Sequence, residues 1–189
     1  NRYSRKEEWI CTHLTWVSHV SGKRESRRVV GDYILREQDL TRPIVHEDAT
    51  CTTTWRIDQH YPDPRNADKY PGEEWMSIGV LTPIDFYPLP YRCFYSKDIP
   101  NLFMAGRNIS VSHIALGSTR VMRTCGLIGE VVGMAASICT KKKANPRDVY
   151  TTYFEDLKAL MRKGTGRTDV PYTQFYHQVD RTGHQAEDR

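Results

Sequence analysis

Two stretches of this 189-residue chain carry side chains able to do chemistry. The first is "NLFMAGRNISVSHIALGSTRVMRTCGLIGEVVGMAASIC", residues 101–139. It opens as a short apolar strand and closes as a helical pattern. The loop between them holds His113 and is rich in Ser and Arg. A helix start presents unbonded backbone N–H groups. Arg120 and Arg123 stand in the first turns, where cations oppose the helix dipole, so the junction suits an anion or a ligand that becomes anionic. Gly106 ends the strand, where backbone can touch a ligand with no Cβ in the way. The second stretch is "WRIDQH", residues 55–60. Asp58 and His60 have the types and spacing of a base and its orienter, with Trp55 beside them; a strand end with turn residues is the plain alternative. Arg92, in "LPYRC", suits an anionic or polyhydroxylated substrate, or a salt bridge to one of the many acids.

The elements that must position these groups follow from periodicity. Residues 9–20, "WICTHLTWVSHV", are β-branched, aromatic and partly alternating, which predicts a strand, and "SGKRESRR" predicts a polar turn. "VVGDYIL" (29–35) predicts a second strand and "REQDL" a short helical turn or loop. A threonine-rich strand is expected over 50–57. The Pro, Asp and Asn of residues 59–75 predict a long loop, and such loops tend to be lids or binding loops. Two short strands follow within 76–96, held to edges by Pro83, Pro88 and Pro90. Residues 102–105 are expected as a strand and 119–139 as a helix. A second helix is expected from Asn145 as cap, through Pro146 at its first position, to a stop at Gly164. The tail from residue 165 is polar and aperiodic, and its end is expected to be disordered.

On the helix at 119–139, Gly126, Gly129 and Gly133 fall at i, i+3 and i+7, on one face. Each costs about 1 kcal/mol relative to alanine inside a helix, so a close approach to the backbone is implied; tight helix-on-strand packing would suffice. Leu127, Val131, Met134 and Ile138 form the opposite stripe, and burial on both sides is expected.

Composition narrows the class. The net charge is only +4 and the basic residues are dispersed, which disfavours nucleic acid. The run Lys141, Lys142 and Lys143 fits the carboxyl end of a helix. Arg24, Glu25, Arg27 and Arg28 read as an ion network. No apolar run was expected to span a bilayer. The five cysteines form no CxxC and no zinc-ligand spacing with histidine, so no metal site is expected. The odd count argues for free thiols and a cytoplasmic address, and the first residues lack signal-peptide features. Cys125 and Cys139 read as small core residues.

Taken together, residues 101–137 strongly resemble the flavin-contacting segment of the FAD-dependent oxidoreductases related to the fumarate reductase and succinate dehydrogenase flavoproteins. "GKRESRRVVGDYILREQDL", "DATCTTTWRIDQHYPDP" and "YPLPYRCFYSKDIPNL" look like further blocks of that family in the same order, so the likeness covers about residues 20–164. It implies an α/β chain: the C-terminal part of a discontinuous Rossmann-like FAD-binding domain plus part of a mixed-sheet substrate domain. Residues 1–97 would belong to the substrate domain, 98–140 would be the returning strand and helix, 141–164 a C-terminal helix and 165–189 a tail. Gly106, Arg107, Thr119, Arg120, Val121 and Met122 would contact FAD, although related flavoproteins often carry an acid where Arg107 stands. His113 or His60 would take the proton, and Arg92, Trp55 and Asp58 would hold a small organic substrate, such as a sugar or hydroxy acid. No GxGxxG joins a strand to a helix in these residues, so an N-terminal ADP-binding half is expected as partner, and a homo-oligomer is compatible. A non-catalytic module that kept the fold without the cofactor is the rival reading.

Overall fold

The computed structural model describes residues 16, 27–62 and 77–165. The strand expected over 9–20, the turn at 21–26, the loop beyond Pro62 and the tail lie outside the described residues, as do Cys11, Arg24 and Glu25.

The fold is mixed α and β, with small sheets. Helix α1 (Glu37–Thr41) is followed by strands β1 (Ala49–Thr53), β2 (Ile57–Pro62), β3 (Ser77–Thr82) and β4 (Tyr87–Pro90). A 3-10 turn, Tyr91–Cys93, leads towards helices α2 (His113–Thr119), α3 (Met122–Lys142), α4 (Pro146–Thr151) and α5 (Phe154–Lys163). Strands β1 and β4 form one antiparallel pair, β2 and β3 another. In β2–β3 the register runs unbroken from Ile57↔Thr82 to Pro62↔Ser77. In β1–β4 it slips between Ala49 and Thr52, and there the buried Thr50 hydroxyl donates to the Leu89 carbonyl at 2.7 Å. Among the described residues both sheets are two-stranded, so β4 lies at an edge and tolerates Pro88 and Pro90.

The threonine-rich strand expected over 50–57 is thus two strands with a break at 54–56. The strand expected over 29–35 is extended chain with a single parallel bridge, Leu35 to Val111. Its amides bond outward to two segments: Val29 N–H to Asn108 and Leu35 N–H to Ser110 in one, Tyr33 N–H to Arg92 in the other. The strand expected over 102–105 makes one antiparallel bridge, Phe103 to Tyr95. The core gathers Leu35, Tyr91, Phe94, Tyr95, Met104 and Ile109 from these segments, all buried.

Helix α3 buries Thr124, Ile128, Val131, Ala135 and Ile138, the i, i+4, i+7 stripe of a one-sided helix. This stripe packs on β1, α4 and α5. Leu127 and Met134, expected in the core stripe, sit at its half-buried margin. The opposite face corrects the expectation of burial on both sides: a Cβ added at Gly126, Gly129 or Gly133 meets nothing within 4 Å among the described residues. By length and hydropathy alone, α3 meets the requirements of a membrane span, contrary to the sequence expectation; its buried stripe is equally that of a core helix.

The C-terminal helix is two helices, broken at Thr152 and Tyr153. Its ends fall where local chemistry puts them. The Asn145 N–H donates to the Asp148 carboxylate at 2.8 Å, Pro146 takes the first helical position, and Gly164 stops α5 with φ +67°. Lys141 and Lys142 occupy the last turn of α3, and Lys143 caps it in the left-handed conformation.

Candidate functional site

Asp58 and His60 lie two residues apart on β2, so their side chains share a face of the strand. His60 Nε2 stands 2.9 Å from Asp58 Oδ1. The imidazole is off the hydrogen-bond direction, and Asp58 Oδ1 has no aligned donor among the described residues. Such pairs often tighten only when substrate is bound. Across the hairpin His60 faces Gly79, and an added Cβ there would lie 3.6 Å from the imidazole Cε1. The glycine gives the ring room. His60 is about half exposed, whereas Asp58 is mostly covered.

The cover comes from α2. Gln59, pointing to the other face of β2, donates from Nε2 to the Ile114 carbonyl at 3.0 Å. Gly117 approaches so closely that an added Cβ would come 2.8 Å from the Asp58 carbonyl and 2.4 Å from Gln59 Nε2. Arg120, the residue that caps α2, donates from Nη2 to both the carbonyl and the Oδ2 of Asp58, each at 3.2 Å. Ser118 donates to the Trp55 carbonyl at 2.7 Å, and the buried Thr53 hydroxyl donates to the Ser118 carbonyl at 3.0 Å. The two stretches singled out in the sequence therefore meet. Gly117 and Gln59 were not anticipated, and Ser118, which the sequence offers with Thr119 as a cap for the helix, instead bonds Trp55.

Several placements differ from expectation. The helix expected from Thr119 begins at Met122, because α2 ends at Thr119 and Arg120 turns its guanidinium to Asp58. His113 is the first residue of α2 rather than a loop residue, and the Ser112 hydroxyl caps that helix by accepting from the Ala115 N–H. Trp55 has an exposed side chain.

Arg92 sits in a different environment. Its Nε and Nη2 bond both oxygens of Asp48, at 2.9 and 3.0 Å. Asp48 also accepts from the Arg92 N–H and is fully buried. The guanidinium lies over the rings of Tyr33 and Tyr150, 5.4 and 5.1 Å from their centroids. That is a structural ion pair with two cation–π contacts; the Asp48 bond raises the Arg92 pKa further.

The start of α3 is open. Val121 is extended and gives no side-chain cap, and the first turn has no acid. The N–H groups of Met122, Arg123 and Thr124 thus have no acceptor within the helix. Met122 is 92% exposed, and the Thr119 hydroxyl is buried without a hydrogen-bond partner among the described residues. Gly106 adopts φ +93°, where glycine is favoured, and lies against this turn: its added Cβ would be 3.9 Å from Cys125 Sγ. Burial raises the Cys125 thiol pKa, with Arg107 opposing, so the sulfur is a neutral neighbour. A cleft of about 550 Å³ lined by Asp32, Tyr33, Arg36, Asp39 and Lys97 includes none of the anticipated site residues. Among the described residues no cluster of His, Cys, Asp or Glu is set to hold a metal.

The fold is mixed α and β, with an uncapped helix start beside a positive-φ glycine. The family described as FAD dependent oxidoreductase matches residues 5–161, and the chain belongs to it. No curated protein and no solved structure matches. The family is FAD dependent, and the residues present fit that group. Gly106 carries no Cβ against the first turn of α3, and the amides of that turn would offer donors to a cofactor that gains negative charge on reduction.

Proposed function

We propose that this chain is the C-terminal part of an FAD-dependent oxidoreductase, akin to the fumarate reductase and succinate dehydrogenase flavoproteins, that oxidises a small organic substrate such as a sugar or hydroxy acid. The observation that carries this reading is the open first turn of α3 against Gly106. Bound FAD supplies the acceptor for a hydride. This chain supplies the rest. The amides of Met122, Arg123 and Thr124 hold an anionic ring edge, and Gly106 and Arg107 lie beside the same turn. His60, oriented by Asp58, or His113, at the start of α2, takes the substrate proton.

The bare glycine face of α3 supports the same reading. Three glycines each disfavour a helix, and they are accounted for when the ADP-binding half of a Rossmann-like domain lies flat against them. Residues 98–140 then complete that domain, and 1–97 belong to the substrate domain.

The test is a visible spectrum of the protein that bears this chain, followed by anaerobic mixing with sugars and hydroxy acids. A yellow protein whose flavin is bleached by one of these classes is expected. A protein that stays colourless when supplied with FAD overturns the reading. Replacing His60 or His113 by alanine is expected to slow bleaching by about 10²–10⁴ without loss of colour.

A further inference from the structure

Arg120 joins the hairpin to the start of α3. It follows the last residue of α2 and precedes Val121, which opens α3. Its guanidinium is only 19% exposed and reaches Asp58 rather than solvent. The two oxygens of Asp58 are divided: Oδ2 takes Arg120 and Oδ1 faces His60. Because Arg120 also bonds the Asp58 carbonyl, it fixes the strand as well as the carboxylate. We propose that Arg120 is a positioning residue for the Asp58–His60 pair, holding one carboxylate oxygen towards the imidazole and tying that pair to the first turn of α3. This rests on the flavoenzyme reading only for its consequence in catalysis.

One guanidinium clamps both the backbone carbonyl and the carboxylate of the strand that carries His60, so its loss frees Asp58 Oδ1 to turn from the imidazole.

The test is anaerobic substrate-driven reduction of the flavin-loaded protein, read both as the rate at saturating substrate and as the half-saturating concentration. Arg120→Gln is expected to slow reduction at saturation by up to about 10²-fold while leaving the half-saturating concentration nearly unchanged, and Arg120→Lys to recover part of the loss. Asp58→Asn should slow reduction likewise, and Arg120→Gln added to Asp58→Asn should cost little more, because the two act through one carboxylate. A purely structural contact would give losses that add and no rescue by lysine. Should Arg120→Gln fail to fold, Arg120→Lys alone and with Asp58→Asn decides. Additive losses, or reduction at the parent rate in the Arg120 variants, overturn the proposal. A protein that holds no flavin overturns the flavoenzyme reading, and the coupling of the same variants in the urea midpoint then decides the positioning role.

Discussion

Gly117 presses against the backbone of Asp58: a Cβ added at Gly117 would sit 2.8 Å from the Asp58 carbonyl and 3.0 Å from its amide nitrogen. Backbone cannot yield as a flexible side chain can, so Gly117→Ala must push α2 and β2 apart. Overpacking of this kind costs about 1–3 kcal/mol. Urea denaturation is expected to show a loss in that range. Because Gln59 and Arg120 bridge the same seam, the variant is also expected to loosen the Asp58–His60 pair. A thermally unchanged Gly117→Ala would place α2 elsewhere.

Arg92 is expected to act on stability. Its partner Asp48 is fully buried, and removing the cation strands a buried carboxylate at a cost of about 3–5 kcal/mol. Arg92→Ala should therefore lower the denaturation midpoint strongly. Arg92→Lys should recover only part, since a lysine cannot supply two parallel N–H bonds to one carboxylate. A variant of native stability with weakened substrate binding would return Arg92 to the role of substrate ligand expected from the sequence.

The parts of the fold that obey local rules were readable from the chain. Asn145, Pro146 and Gly164 mark helix ends because a cap, a fixed φ and a left-handed stop act within a few residues. Helix α1 and strands β3 and β4 were readable for similar reasons. The pattern at 29–35 announced extended chain correctly but could not name its partners, which are two separate segments. The break at Arg120 has no glycine or proline to signal it. Its long-range cause is on the page: Arg120 is bound to Asp58, 62 residues away. The Asp58–His60 spacing was legible because both fall on one strand face, whereas the closeness of Gly117 depends on how a helix meets that strand.

Asp32 carries a pH signature. The side-chain bond from Arg147 lowers its pKa below the model-compound value of 3.8 despite partial burial, and Tyr95 adds a further hydrogen bond. Arg147 reaches both oxygens, at 2.6 and 2.7 Å. A depressed folded pKa contributes stability that is present above the unfolded value and lost as pH falls through the folded one. Arg147→Gln should thus be less stable than the parent at neutral pH. The gap should close below pH 3.8. Denaturation curves across the acid range check this, and a gap independent of pH would mean that the ion pair contributes nothing through Asp32.

The thiols are expected to be free and slow. Cys51, Cys93, Cys125 and Cys139 are all unpaired. Burial pushes Cys51 up to about 12 and raises Cys93 also. The thiolate is the reactive form, so both should resist alkylation at neutral pH until the protein is denatured, when all five cysteines should react without reductant. A smaller number of free thiols would reveal a disulfide involving Cys11.

Gly129 distinguishes a bare face from a covered one. In the chain described, an added Cβ at Gly129 meets open space, and the helix there is regular. Replacing a mid-helix glycine by leucine gains about 0.5–1 kcal/mol of helix propensity. Gly129→Leu in the 189-residue chain should therefore be neutral or mildly stabilising by circular dichroism melting. In the protein with an ADP-binding half, the same side chain would wedge between α3 and that half. There it should abolish flavin retention after gel filtration, while Gly129→Ala should reduce it less. The two backgrounds give opposite signs from one substitution. Unchanged flavin content for Gly129→Leu in the longer protein would show that nothing packs on this face, and the glycines would then need another cause.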